Sequence, residues 1–335
     1  MACMGKQSIQ FEKAPYIINS ASIVGTKEGE GPLSKYFDLI GEDDKFGAET
    51  WEEAESTLQK QAATMAIGKA GLKEWEIRYI FSGDLLGQNM ATSFGMMDLQ
   101  IPLFGLYGAC STIGEALSLG AMTVAAGYAD YVLSVASSHF ASAEKQFRFP
   151  LEYGNQRPLA ATWTVTGSGA FVVGSKRSKA RITGITTGKI IDYGIKDSMN
   201  MGAAMAPAAS DTIYQNLMDF NRQPDDYDKI ITGDLGYIGQ KILFDLMKEK
   251  GFDIEKQHMD CGIEIYDRDT QDTHSGGSGC GCCAVTLSAY ILKQVEKGAW
   301  KRVLFVPTGA LLSTVSFNEG QSVPGIAHGV VIEHC

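Results

Sequence analysis

The sequence predicts an α/β fold built from two similar halves. Helical and β-rich segments alternate along all 335 residues, which favours a sheet with crossover connections. Two β-rich segments also recur in the same order: residues 76–85 resemble 227–235, and residues 127–135 resemble 298–306. Within each half, a helix start of small residues lies between the two β-rich segments, at Cys110 in the first half and near His274–Gly277 in the second. Together these matches indicate a duplication with pseudo-twofold symmetry.

The spacing of apolar residues and the positions of helix-breaking glycines predict the individual helices and strands. Apolar residues at helical spacing, ended by Gly71, predict a helix over Trp51–Ala70, and the short apolar run after it predicts a strand over Arg78–Ser82. A second helix is expected from Cys110 to Gly127, followed by a strand over Tyr131–Val135. The halves are expected to meet in the charged turn near residues 173–181. This predicts a first half, residues 1–175, carrying Cys110 and a second half, residues 176–335, carrying His274.

Cys110 is the first candidate for function. The segment after it is apolar almost all round, which is typical of a buried helix. A cysteine in the first turn of such a helix faces unpaired N–H groups and the positive end of the helix dipole, which lower a thiol pKa and attract anions. The alternative is a cysteine that serves as a small buried hydrophobe.

Composition excludes several classes of protein. Hydrophobic residues make up 44% and charged residues 20%, as in ordinary globular proteins. The net charge of −10, without a basic block, argues against nucleic acid as a partner and gives no help for docking to an anionic membrane. No transmembrane span and no secretion signal are evident, and seven cysteines, an odd number, predict a reducing compartment.

The duplicated halves, the cysteine and the segment 273–279 resemble the thiolase superfamily. The strand-like segment 164–173, with its glycines, resembles the strand that closes the first half in that superfamily. The resemblance implies a duplicated αβαβα layered fold. It also implies an acyl group carried on Cys110, with two further polar residues, His/His or His/Asn, from the second half.

Six separate segments narrow the match to the stage V sporulation protein AD family. They are Gly83–Gln88, Gly108–Thr112, Ser137–His139, Glu144–Arg148, Glu152–Gly154 and Thr164–Gly169. The resemblance implies a role in loading dipicolinic acid into the developing spore, with other stage V sporulation A membrane proteins as partners. It implies a forespore location, peripheral to the inner membrane and without a span of its own. Thiolase-like enzymes also dimerise through the first-half sheet, so a homodimer is expected.

One departure from the superfamily bears on mechanism. Condensing enzymes place a histidine shortly after the strand that here reads Lys229–Thr232, whereas this chain has Gly233 and Asp234 there. Without that imidazole no evident group withdraws the thiol proton, and a carboxylate beside the thiol opposes its ionisation. The sequence therefore favours a non-catalytic dipicolinate-binding protein that needs no cofactor. The alternative is an acyltransferase or condensing enzyme acylated on Cys110, with His274 as its partner.

Dipicolinate is a flat pyridine ring with two carboxylates, so a site for it needs donors or cations together with apolar walls. One carboxylate is expected at the helix start of Cys110 and Ser111, and His274 with Ser275 is expected to meet the other carboxylate or the ring nitrogen. His139 follows a strand, a usual position for ligand contact, although a structural loop histidine is an equal alternative. Further expected contacts are Arg148, Arg157 and Asp234.

Two metal hypotheses stay open at this point. Asp84 and Asp234, which are equivalent in the repeat, would hold a calcium ion bound to dipicolinate, or would simply cap the helices after their strands. His258 and Cys261 with Cys280, Cys282 and Cys283 would form a zinc site, but their spacing is unusual and compact packing is favoured. No metal site is therefore assigned.

Overall fold

A computed structural model describes residues 2–147 and 157–335. Within these ranges the chain forms one large mixed sheet of 13 strands, with helices on both sides, and two small two-stranded sheets. The strands are β1 Ala2–Met4, β2 Ser8–Gln10, β3 Tyr16–Val24, β4 Leu39–Ile40, β5 Tyr79–Asp84, β6 Leu103–Gly105, β7 Tyr131–Ser138, β8 Trp163–Thr164, β9 Gly167–Gly174, β10 Ala180–Thr186, β11 Lys229–Thr232, β12 His258–Asp260, β13 Gly277–Ser278, β14 Arg302–Val306, β15 Thr308–Ala310, β16 Gly325–Ala327 and β17 Gly329–His334. The two small sheets pair β8 with β13 and β15 with β16.

The helices are mostly of moderate length, and the two longest occupy equivalent places in the two halves. They are α1 Thr26–Gly29, α2 Trp51–Lys69, α3 Met90–Met97, α4 Thr112–Ala125, α5 Phe140–Phe147, α6 Met201–Asp219, α7 Gly236–Glu249, α8 Cys261–Glu264, α9 Cys280–Thr286, α10 Leu292–Glu296 and α11 Thr314–Asn318. A π-helical turn, Leu287–Ile291, joins α9 to α10.

The strand order is symmetric about the middle of the sheet. It runs β12-β11-β14-β17-β10-β3-β9-β7-β5-β6. From either edge, two parallel pairings are followed by two antiparallel ones, and β10 and β3 meet antiparallel at the centre. This order is what a duplicated five-stranded unit produces. The division at residue 175 stays a prediction; it falls in the turn between β9 and β10.

The layers follow from the burial of the helices. α2 packs on β3 and β9 on one outside face, and α6 packs on β10, β14 and β17 on the other. α4 and α9 contact each other between the two halves; all seven residues of α9 and nine of the fourteen of α4 are buried. Small residues allow this approach: a Cβ on Gly169 of β9 would lie 2.6 Å from the Ala284 backbone of α9. The layered arrangement brings the loops before α4 and α9 to the same end of the sheet.

Several predicted elements are confirmed. α2 ends one residue before the predicted limit, and β5 and β7 contain most or all of the predicted strands and extend them by two and three residues. The prediction that His274 opens a helix is wrong, because α9 begins six residues later at Cys280. Gly276 and Gly279 have φ of 114° and 102°, backbone angles that break a helix, and β13 lies between them.

Candidate functional site

Cys110 lies at a sharp turn that precedes α4. It was predicted in the first helical turn, but the helix begins at Thr112, with Ser111 as its N-cap residue. Ala109, immediately before the cysteine, has φ of 49°, a left-handed conformation that is strained for a residue with a Cβ. The loop also lies close to β15, since a Cβ on Gly309 would be 2.2 Å from the Gly108 carbonyl oxygen. The tight turn and the close neighbour together hold the thiol in place.

The Cys110 thiol faces residues of the second half. Its Sγ is 3.9 Å from Oγ of Ser278, the last residue of β13, and Ser278 in turn donates to the carboxylate of Asp234 at 3.0 Å. Asp234 follows β11, at the position where condensing enzymes carry a histidine. The structure therefore brings together Cys110, Asp234 and Ser278, the last of which the sequence reasoning missed.

Among the residues that the structure describes, the partners of Asp234 are neutral donors. Its Oδ2 accepts from Ser278 Oγ at 3.0 Å and from the Gly279 amide at 2.9 Å, and its Oδ1 accepts from Thr308 Oγ1 at 2.8 Å. The side chain is completely buried. Burial raises the pKa of Asp234, while the hydrogen bonds from Cys110 and the other donors lower it. The carboxylate is thus anchored by hydrogen bonds and not by a cation.

This environment keeps the thiol protonated. Burial, and next the charge of Asp234, raise the pKa of Cys110 well above its ordinary value. The expectation that the helix start lowers this pKa is therefore wrong, because desolvation and the carboxylate outweigh the dipole. The expectation that a carboxylate at Asp234 opposes ionisation of the thiol agrees with this direction. A protonated thiol without a base is a poor nucleophile.

A narrow cavity opens beside the thiol. Its volume is about 30 Å³, enough for about two water molecules. The polar lining consists of hydroxyls, the thiol and one carboxylate, and the apolar lining is mostly aliphatic. The lining residues are Leu85, Tyr107, Ala109, Cys110, Glu144, Ala161, Thr162, Thr164, Ser198, Met199, Met201, Ser278, Ala310 and Leu312. None of these described lining residues is a lysine, arginine or histidine.

A larger cavity, of about 740 Å³, shares Tyr107 and Leu312 with the narrow one. It is lined on one side by carboxylates, among them Glu55 and Asp84, and Lys145 is the cation among its described lining residues. Burial, and next the charge of Asp84, raise the pKa of Glu55 to about 8. Tyr107 and Leu312 therefore form a wall that is common to the two cavities.

Two residues that were predicted to contact the ligand, His139 and Ser111, instead hydrogen-bond the backbone outside the narrow cavity. His139 places Nε2 2.7 Å from the Asp44 carbonyl, while its Nδ1 accepts from the Ala141 amide at 3.1 Å. Both ring nitrogens are thus used by backbone, and burial lowers the pKa of His139. Ser111 is buried and donates to the Gly108 carbonyl at 2.7 Å. Neither residue lines the cavity.

His274 and Arg157, two more predicted contacts, do not line the narrow cavity either. His274 has Nδ1 2.9 Å from the Pro158 carbonyl and Nε2 3.1 Å from Asp272 Oδ1. Arg157 donates to Asp272 at 2.8 Å, and its guanidinium stacks on Trp163 at 4.8 Å. These three side chains form a cluster of their own, because the turn at Asp272 and His274, both with φ above 50°, directs the chain away from the cavity.

The structure also shows where Ser275, Asp84 and Asp234 lie and what they bind. Ser275 is buried beside α7, where its Oγ accepts from the Ile238 amide at 3.4 Å, and it does not line the cavity. Asp84 accepts from the Thr92 amide at 2.9 Å in the first turn of α3, as a capping carboxylate does. Asp234 does not cap α7; Asp260 does, by accepting from the Leu235 and Gly236 amides. Arg148 lies outside the described residues.

The cysteine-rich segment is packed and not arranged around a metal. Cys280, Cys282 and Cys283 are buried in α9, and Cys283 Sγ is 3.4 Å from the Cys110 carbonyl. Among residues 2–147 and 157–335, no three histidine, cysteine or acidic side chains are grouped so as to hold a metal ion. Within the same ranges, the helices are all too short or too polar to cross a bilayer.

Comparisons with known proteins assign the fold and the family. The chain resembles 3-oxoacyl-[acyl-carrier-protein] synthase III from Aquifex aeolicus VF5 (TM-score 0.58, 13% identity, 96% of this chain and 100% of that one). It also resembles a variant of OleA from Xanthomonas campestris (TM-score 0.63, 15% identity, 99% of this chain and 100% of that one). These structures confirm the thiolase-like fold.

The sequence comparisons are more specific. Stage V sporulation protein AD of Bacillus subtilis (strain 168) is 43% identical over 333 residues, which cover 99% of this chain and 98% of that protein. The family model described as stage V sporulation protein AD matches residues 5–333. The chain therefore belongs to the stage V sporulation protein AD family.

Proposed function

We propose that this sporulation protein is a non-catalytic binding protein for dipicolinate, and that the ligand enters as its calcium complex. The observation that carries the proposal is the pairing of Cys110 with Asp234. In that pairing, burial and the charge of Asp234 raise the pKa of the thiol, which is therefore a poor nucleophile. A condensing-enzyme scaffold without its imidazole keeps a cavity and loses the chemistry.

The charges around the cavity support the calcium complex over the free dianion. Glu144 lines the narrow cavity, and Glu52 and Asp84 line the larger cavity outside it. A dianion approaching these carboxylates is repelled, whereas a calcium ion between the two ligand carboxylates removes that charge. The hydroxyl of Tyr107, which lines both cavities, remains as a donor for the ligand oxygens.

The ligand is larger than the present cavity. A pyridine ring with two carboxylates needs several times 30 Å³, so lining side chains must move when it binds. Met199 and Leu312 have flexible aliphatic side chains at the lining, and Tyr107 separates the two cavities. We expect these three side chains to rotate on binding, while the Cys110–Asp234–Ser278 arrangement stays in place.

Calorimetry with and without calcium tests this proposal. Dipicolinate is titrated into the protein in calcium-free buffer and in calcium chloride, with calcium alone as the blank. We expect at least tenfold tighter binding with calcium, weakened by Tyr107→Phe and unchanged by His274→Gln. Loss of binding in His274→Gln with no effect of Tyr107→Phe would place the ligand at the His274 cluster. No heat in either buffer would reject the proposal.

The competing function is acyl transfer, favoured by one observation: Cys110 lies in a strained turn, next to a left-handed Ala109. Mass spectrometry after incubation with an acyl-coenzyme A separates the two functions. We expect no added acyl mass on the native chain. An adduct that is absent from Cys110→Ser, together with no heat from dipicolinate, would establish the transferase.

We also propose a homodimer through the first-half edge, and association with other stage V sporulation A proteins at the forespore inner membrane. β6 is an edge strand of the sheet, and its Phe104 is 52% exposed, beside Phe94 at 55% and Met97 at 56% on α3. An exposed apolar strand edge of this kind is typical of an interface. Sedimentation velocity on the native chain and Phe104→Asp tests the dimer, which the charged variant should dissociate.

A further inference from the structure

A third cavity, separate from the narrow and the larger one, lies at the opposite end of the sheet from Cys110. Its volume is about 800 Å³, and its lining includes Arg181, Arg222 and Arg302. Arg181 is the second residue of β10 and Arg302 the first of β14, whereas the Cys110 site lies beyond the other ends of β5 and β11. The duplicated fold and the proposed binding function give no role to this arginine cluster.

The carboxylate of Glu333 faces all three guanidinium groups. Glu333 of β17 is opposite Arg181 on one neighbouring strand and opposite Arg302 on the other. Its Oε1 is 2.6 Å from Arg302 Nε and 3.9 Å from Arg222 Nη2, and its Oε2 is 3.3 Å from Arg181 Nη2. Three positive charges around one negative charge leave an excess of two at this wall.

The guanidiniums are also fixed in position. Arg222 stacks on the rings of Phe220 and Tyr227 and donates to the Tyr227 hydroxyl at 2.9 Å. Arg302 donates to the Asp226 carbonyl at 3.1 Å. A guanidinium carries five N–H donors, so these contacts use the minority of them. Arg181 Nε is buried and makes no hydrogen bond with the described residues. The three guanidinium groups are thus preorganised, and most of their N–H donors remain for a ligand.

The rest of the cavity limits where an anion can lie. Its lining also includes the carboxyl end of α4 and Asp130, both of which repel negative charge. Glu12 and Lys13 lie at the start of the segment leading into β3 and offset each other in charge. A negative group is therefore favoured at the arginine wall alone, and it must be compact.

We infer that the Arg181–Arg222–Arg302 wall binds a phosphate group. A tetrahedral dianion matches an excess of two charges, and its several oxygens accept from more than one guanidinium fork. The group comes either from a free phosphorylated small molecule or from a phospholipid headgroup, since the chemistry recognised is the same. Binding here is independent of Cys110, because the two sites lie at opposite ends of the sheet.

Calorimetry with inorganic phosphate and pyrophosphate tests the site at low ionic strength. The test variant is Arg181→Gln, which removes the guanidinium with the unpaired Nε from a side chain that is 42% exposed. The matched control is Arg177→Gln, the same substitution on the exposed turn before β10. We expect at least a tenfold loss of affinity in Arg181→Gln and less than a twofold change in Arg177→Gln. Equal losses in both variants would show diffuse surface charge and overturn the inference.

The substitution Glu333→Gln is expected to change phosphate affinity in the opposite direction. The carboxylate competes with phosphate for the same donors, so its neutral replacement should raise phosphate affinity several-fold. A lower affinity in Glu333→Gln would mean that the arginines only pack around the glutamate, and would overturn the inference.

Vesicles distinguish the two sources of phosphate. Flotation is measured with phosphatidylcholine vesicles that contain 0 or about 30% phosphatidylglycerol, at the ionic strength used for calorimetry. Flotation with the anionic vesicles that is lost in Arg181→Gln, without calorimetric binding of free phosphate, assigns the lipid headgroup. Calorimetric binding without flotation assigns a soluble phosphate. Absence of both signals overturns the inference.

Discussion

Asp234 and Glu333 are two little-exposed carboxylates at opposite ends of one sheet, and their surroundings differ in kind. Within the described part of the chain, two hydroxyls and an amide donate to Asp234, so its charge is stabilised by dipoles. Glu333 is surrounded by three guanidiniums, so positive charge remains after it is paired. The first arrangement suppresses ionisation of its neighbour Cys110, and the second attracts a further anion. The same functional group thus produces opposite local fields, depending on whether its partners are neutral or charged.

The largest effect should come from removing the Asp234 side chain. Asp234→Ala leaves Ser278, the Gly279 amide and Thr308 without an acceptor in a buried site, at a cost of about 4 kcal/mol in the free energy of unfolding. Asp234→Asn keeps one acceptor oxygen, so about half of that loss is expected. Urea unfolding followed by circular dichroism measures both variants. A loss below about 1 kcal/mol in Asp234→Ala would show that the carboxylate does not organise this end of the sheet.

Restoring the imidazole should reverse the suppression at Cys110. In Asp234→His the negative charge disappears and a base stands beside the thiol, so the pKa of Cys110 should fall. Each unit of that fall raises the thiolate fraction about tenfold at neutral pH. Alkylation of Cys110 by iodoacetamide, followed by peptide mass spectrometry, measures the rate. Asp234→Asn is the control without a base, and an equal rate in both variants would mean that loss of charge alone activates the thiol.

The duplicated fold was accessible from sequence for a physical reason. Strand and helix signals are local, and the matches around Asp84 and Asp234 and around Val135 and Val306 repeat in the same order. The central position of Cys110 followed from the apolar segment after it. Family resemblance added the identity of the missing residue, since Asp234 stands where an imidazole is expected.

The rest of the site depends on geometry that local patterns do not carry. His274 drew attention because of its chemistry, but positive φ at His274 and Gly276 directs it towards Pro158 and Asp272. Ser278 is chemically plain and lies among glycines; its one signal was its place just before the second central helix, equivalent to that of Cys110. The arginine cluster is assembled from β10, β14 and the segment after α6, and no short pattern joins these positions.

The pH dependence of Cys110 alkylation in the native chain tests the contrast between Asp234 and Glu333 without a substitution at Asp234. Burial and the Asp234 charge raise the pKa of this thiol well above its ordinary value of 9.0, so the thiolate fraction stays small at neutral pH. The alkylation rate should therefore keep rising about tenfold per pH unit up to pH 10 with no plateau near 9. The measurement follows the Cys110 peptide between pH 7 and 10. A plateau below pH 9 would show an activated thiol and would contradict the neutral-donor description of the site.

The smallest expected effect concerns Ser278, which donates to Asp234 and faces Cys110. Ser278→Ala removes one donor to the carboxylate and one hydroxyl from the cavity lining, so affinity for calcium dipicolinate should fall about three- to tenfold, equivalent to about 1 kcal/mol. Ser111→Ala is the matched control, because Ser111 is equally buried and donates to Gly108 without lining the cavity. Calorimetry in calcium chloride compares the two. If Ser111→Ala weakened binding as much as Ser278→Ala, the effect would reflect the packing of the α4 start and not the cavity. If only Ser278→Ala did so, the ligand would be located beside Asp234, at the end of the sheet where negative charge is held without cations.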